Sequence, residues 1–234
     1  MTRTTNARIA GFTFLAYIAV AFPAMVLSGK AEKGQGIDAQ LASIATHVSD
    51  MRIVIVLSLV SCFAALILAV TLYAITRDED RDIAMLAMTC RVGEGVIGGA
   101  SMAATLGLLW LSTTAGPNSP DAGGARTLGA FLLKAEGWST LTAATVFSVG
   151  STLFSYLLLR GRMVPVPLAW LGVLASVLIV MLLPLQLAGF VGGPITQLMW
   201  YPMLVFEVTL ALWLLIKGVG RLRTEDRGPL RPQD

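Results

Sequence analysis

Six stretches of about twenty residues or more, nearly free of charge, dominate this chain and determine the solvent it must fold in. They cover roughly residues 8–28, 51–75, 83–112, 128–159, 165–188 and 199–219. A bilayer core of about 30 Å takes roughly 20 apolar residues as a helix, so each stretch can span one. The runs are continuous rather than alternating, and a lipid-exposed backbone must satisfy its own hydrogen bonds, which excludes strands. The predicted fold class is an all-α integral membrane protein, a single bundle of six transmembrane helices over residues 1–234. Composition agrees. Of 234 residues, 56% are hydrophobic and only 13% charged. Soluble domains carry roughly a quarter charged residues, so this chain has too little polar surface to cover a globule in water.

The third and fourth stretches exceed what a bilayer needs and predict helices that tilt or run past the membrane. The first follows Arg3 and Arg8, as the apolar core of a signal peptide would. Such cores run about 7–15 residues, and this one is longer, so it is read as a retained span.

Lys and Arg distribution gives the orientation. With the N-terminus inside, the cytoplasmic side collects Arg3, Arg8, Arg77, Arg81, Arg160 and Arg162, then Lys217, Arg221, Arg223, Arg227 and Arg231. The opposite side receives Lys30, Lys33, Arg52 and Arg126. That asymmetry predicts both termini in the cytoplasm. The net charge of +3 therefore reads as topology signals and headgroup contacts rather than as a nucleic-acid footprint, and the expected surroundings are the lipid bilayer of a bacterial inner membrane.

Between the first two spans, Ile37, Leu41, Ile44 and Val48 recur at spacings of four and three. This predicts a short amphipathic helix over about 36–49, lying on the outer interface as a cap, with Asp38, Ser43, Thr46 and a solvent-facing His47 off the stripe. Thr113–Gly124, with Pro117, Asn118 and Pro120, predicts a loop, and Pro165 and Pro167 open the fifth span. Trp110, Trp200 and Tyr201 fall near the outer boundary, as interfacial aromatics do. Cys62 and Cys90 lie in apolar runs and read as small packing residues.

Charges inside the spans are the informative residues. They are Arg91 and Glu94 in the third, Lys134 and Glu136 in the fourth, and Glu207 in the sixth. Each costs about 2.5–3.5 kcal/mol at a helix centre, so several together need partners. Counting from the span starts puts Glu94, Glu136 and Glu207 in one layer slightly outside the midplane. Arg91, Glu94, Gly95, Gly98, Met102 and Thr105 share one helical side; so do Glu136, Ser139, Thr140, Ala143, Gly150 and Ser151, and so do Trp200, Met203, Glu207 and Ala211. Arg91 is expected to pair with one or more of the glutamates, while Lys134 projects the other way and snorkels to the headgroups. Arg91, Glu94, Glu136 and Glu207 form the candidate ligand-binding set.

Several chemistries lack their residues. The sole histidine, His47, lies outside the spans, which disfavours haem held by two histidines, intramembrane zinc and a serine–histidine hydrolase. No aspartate pair lies within a span core, and no phosphate-binding or dinucleotide glycine motif follows a strand. No cofactor, metal or catalytic set is expected.

The opening Arg8-Ile-Ala-Gly-Phe-Thr-Phe-Leu15, the segment Arg91-Val-Gly-Glu-Gly95, the stretch Tyr156–Pro165 with Arg160-Gly-Arg162, and the closing Pro202-Met-Leu-Val-Phe-Glu-Val208 followed by Leu212-Trp-Leu-Leu-Ile-Lys-Gly218 together resemble one family. It is the bacterial membrane-protein family catalogued as domain of unknown function 4386. The resemblance spans nearly the whole chain and implies a multi-helix membrane protein, with Arg91, Glu94 and Glu207 at motif positions. It implies no activity. Glu136-Gly137 departs from the more polar, His-Asp-like pair associated with that region.

Two functions follow as expectations. The first is binding or transport of a small molecule or ion at the intramembrane Glu/Arg cluster. The alternative is a structural or regulatory membrane subunit whose buried charge network only packs helices.

Overall fold

A computed structural model describes residues 1–114 and 120–220. The basic tail positions Arg221, Arg223, Arg227 and Arg231, and Pro117 and Asn118 of the expected loop, lie outside the described residues. Every described element is a helix: α1 (Arg3–Ala31), α2 (Ile37–Thr46), α3 (Val48–Thr76), α4 (Arg81–Thr113), α5 (Ala122–Arg160), α6 (Val166–Leu187), α7 (Ile195–Leu198) and α8 (Trp200–Ile216).

Six segments are long and apolar enough to cross a membrane: α1, α3, α4, α5, α6, and the run Ile195–Ile216 that joins α7 to α8. This is a multi-pass membrane protein. The first four spans begin and end a few residues beyond their apolar cores, where polar residues such as Arg3 and Arg81 continue the backbone ladder, whereas α6 and α8 end within theirs. The 39 residues of α5 make a rod of about 58 Å, almost twice a bilayer core, as its length in sequence predicts.

The chain divides into two compact units. Among the described residues, unit 1 comprises 1–15, 66–92 and 145–220; unit 2 comprises 16–65, 93–114 and 120–144.

In unit 1, α6 packs along α8. Gly172 makes this approach possible: a Cβ there would run into the Phe206 ring and lie 2.7 Å from Ser155 Oγ. Gly11 similarly lets α1 meet α8, with the Ala211 carbonyl oxygen 2.6 Å from where a Cβ would be. Without a hydrophobic drive between helices in lipid, such close backbone approach is what holds them together. One end of unit 1 gathers several chain segments. Arg3 Nε donates to the Ile75 carbonyl at 3.0 Å, its Nη2 reaches Met163 Sδ at 3.2 Å, and Gly220 N–H donates to the Met163 carbonyl at 2.9 Å.

Unit 2 carries the amphipathic helix. Ile44 of α2 is fully buried in a cluster with Ala31, Met51 and Leu108, joined by Leu41, Leu109, Leu132 and Leu133. Ile37 and Leu41 sit over Gly129 of α5. The helix stops at Thr46, earlier than the expected 49. His47 ends it: its backbone N–H donates to Ser43 and Ile44 carbonyls, and its Nδ1 lies 2.9 Å from the Ser43 carbonyl oxygen. Val48 therefore begins α3 rather than extending the α2 stripe, and His47 is half-buried rather than solvent-facing.

Candidate functional site

Arg91 is the largest of the fully buried side chains, 1% exposed, and it sits in unit 1. Its helix, α4, continues through apolar residues on both sides, so the guanidinium cannot reach water by snorkelling along its own stem. The protein supplies the surroundings instead. Arg91 Cζ lies 4.5 Å from the centre of the Phe147 ring and 5.6 Å from that of Phe14. Its Nη2 lies 3.8 Å from Glu207 Oε1 on α8, a side chain that is itself nine-tenths buried.

Magnitudes decide which contact matters most. A desolvated cation over an aromatic face gains about 2 kcal/mol. A unit-charge pair near 4 Å gains about 4 kcal/mol at an effective dielectric of 20. The ion pair, with the rings in support, thus offsets an insertion cost of roughly 3 kcal/mol for the arginine.

The pair lines a small cavity together with Phe14, Ser151, Ser155 and Phe206. It has room for about one water molecule. Ser151 and Ser155 stand one turn apart on α5 and are both buried, so they bring hydroxyls to a wall that is otherwise apolar.

Glu94 and Glu136 belong to unit 2, each with its own hydrogen-bond donor. Tyr17 Oη of α1 donates to Glu94 Oε1 at 2.9 Å. Thr105 Oγ1 donates to Glu136 Oε1 at 3.0 Å. Thr105 follows Glu94 by eleven residues on α4, about 16 Å along the helix axis. Glu94 and Glu136 therefore do not share a level, contrary to the single layer expected from counting. The reason is physical: α5 begins at Ala122, well before its apolar core, so distance from a span start does not measure depth. Lys134 is exposed.

Of the four residues singled out by sequence, Arg91 and Glu207 pair within unit 1, and within unit 2 Glu94 accepts from Tyr17 and Glu136 from Thr105. The supporting residues Phe14, Tyr17, Phe147 and Ser155 gave no signal in the sequence. A phenylalanine that cages a cation looks the same, in one chain, as a phenylalanine that faces lipid. Among the described residues, no group of three or more His, Cys, Asp or Glu side chains is arranged to hold a metal ion.

Residues 9–218 match the family model described as a domain of unknown function, DUF4386. The match covers most of the chain, and the protein belongs to that family. No curated protein and no solved structure matches it.

Proposed function

We propose that this family member binds, and passes across the membrane, a proton or small inorganic ion at the Arg91–Glu207 pair, working in the inner membrane of a bacterium with both chain ends towards the cytoplasm. The single observation that carries this reading is the setting of the pair. An opposite-charge pair buried among phenylalanines, opening on a cavity with two serine hydroxyls, is the kind of intramembrane ionisable site that marks ion and proton pathways. Size favours an ion over an organic solute. Pockets for drug-sized ligands run to about 300–1,000 Å³, whereas this one holds about one water. A larger solute would require α6 or α8 to move.

The test is flux in proteoliposomes, read with a pH-sensitive dye and with ion-selective indicators. The wild type should exceed empty vesicles, and Glu207→Gln should lose at least tenfold of that flux while still melting cooperatively. A wild type no better than empty vesicles, or a Glu207→Gln protein with full flux, overturns the proposal.

A second reading has its own support. The same small cavity and close ring contacts suit a structural or regulatory subunit whose charges only lock helix packing. That reading expects Glu207→Gln to lower the melting temperature with no flux to lose, and a stoichiometric protein partner to co-purify.

A further inference from the structure

We propose that the turn between α5 and α6 docks the phosphate of an anionic phospholipid headgroup, held by Arg162 with help from Arg81 and Lys217. The argument begins with charges at the end of unit 1 where α1 starts and α8 finishes. Arg160 is engaged by Glu79 at 3.1 Å and Asp80 at 3.2 Å, Arg77 lies 3.7 Å from Asp78, and Arg3 donates to the Ile75 carbonyl. Arg81, Arg162 and Lys217 are exposed, and among the described residues their side chains make no hydrogen bond or ion pair.

Arg162 stands out for its backbone. Its φ of 47° puts it in the left-handed region, and it is the one non-glycine residue there among the described residues. Helices commonly end with glycine at such a position, because a Cβ is strained there. Gly161 is next door, but exchanging the two would push side chains aside. A side chain at 161 would come within 2.6 Å of Met163 Cε and 3.2 Å of Glu79 Oε2. The turn is also fixed, through the bonds from Arg3 and Gly220 to Met163. The chain thus holds an arginine in an unfavourable conformation, on a rigid turn, with its side chain outside the packing.

The neighbourhood identifies the ligand. The turn joins two helices long and apolar enough to cross a membrane, so it lies on one face of the bilayer, within reach of that leaflet's lipids. Tyr156 and Trp170, each within about two turns of it, are exposed aromatics of the kind that sit at that boundary. A guanidinium fork matches two phosphate oxygens, and juxtamembrane cations favour anionic lipid.

Melting temperature in neutral detergent, with added phosphatidylglycerol, phosphatidylcholine or inorganic phosphate, tests the proposal. Phosphatidylglycerol should raise the wild-type melting temperature by several degrees more than phosphatidylcholine does. Arg162→Gly should melt at or above wild type in phosphatidylcholine, because the strain is gone, yet lose at least half of the phosphatidylglycerol-specific rise. Arg81→Ala/Lys217→Ala should reduce that rise as well. A full rise in Arg162→Gly overturns the proposal. So does a phosphatidylcholine rise equal to that of phosphatidylglycerol, or an inorganic phosphate rise that matches it, since the site would then not select a charged headgroup.

Discussion

Glu136 takes its hydrogen bond from Thr105 at 3.0 Å, on the α4 turn about 16 Å beyond Glu94. Glu94 takes its own from Tyr17 at 2.9 Å. Each of these two carboxylates thus accepts from a hydroxyl on another helix. A hydrogen bond contributes about 0.5–1.5 kcal/mol net, and more where a partner is charged.

Residues farther apart than about 7–10 Å with no shared partner usually contribute additively, within roughly 0.5 kcal/mol. Glu94→Gln and Glu136→Gln should therefore lower unfolding free energy by amounts that sum in the double variant. Denaturant unfolding in a mild detergent reads this. A coupling above about 1 kcal/mol would mean that the two carboxylates belong to one network.

Arg91 and Glu207 should behave in the opposite way. Removing one member of a buried pair strands the other charge and costs about 3–5 kcal/mol, whereas replacing both by apolar groups of similar volume is often neutral. Arg91→Met alone should be strongly destabilising, and Arg91→Met/Glu207→Leu should recover most of the loss. The same unfolding measurement checks it. A double variant as unstable as the single one would show that the pair's geometry, not charge compensation, is what the fold requires.

Gly172 gives a packing prediction free of charge. The missing Cβ would collide with the Phe206 ring, so Gly172→Ala should destabilise by about 1–3 kcal/mol, the usual cost of overfilling a packed interface. Phe206→Leu in the same chain makes room and should restore part of that stability. If Gly172→Ala melts like wild type, α6 can slide on α8 without penalty and the close approach is not a constraint.

How much of this the sequence carried depends on the kind of signal. Continuous apolar runs are dictated by the solvent itself, so the six spans and the family membership were legible, and Arg91 and Glu207 drew notice because charge in lipid is costly. The Ile37, Leu41 and Ile44 spacing likewise revealed α2, since a stripe at helical period has one place to go. Its end at Thr46 was hidden, because the apolar Val48 continues the pattern while the His47 cap depends on bonds to Ser43. The partners of the buried charges were hidden for a related reason. Phe14, Phe147 and Tyr17 come from distant parts of the chain, and nothing in their local sequence separates a cage or a donor from a lipid-facing ring.

The amphipathic helix supplies the last prediction. α2 has only ten residues, too short to hold itself as a helix in water, so its stability must come from the face it buries. Ile44 is the one residue of that helix with no exposure, and it fills the space between Ala31, Met51 and Leu108. Trimming a buried isoleucine to alanine costs about 2–5 kcal/mol. Because α2 has little else to lose, Ile44→Ala should undock this element rather than unfold the protein. Amide exchange over residues 37–46 should then quicken by at least tenfold, while exchange along α6 and α8 stays at the wild-type rate. Unchanged exchange in α2 would show that Leu41, Ile37 and the Asp38–Arg126 ion pair at 2.6 Å suffice to hold it.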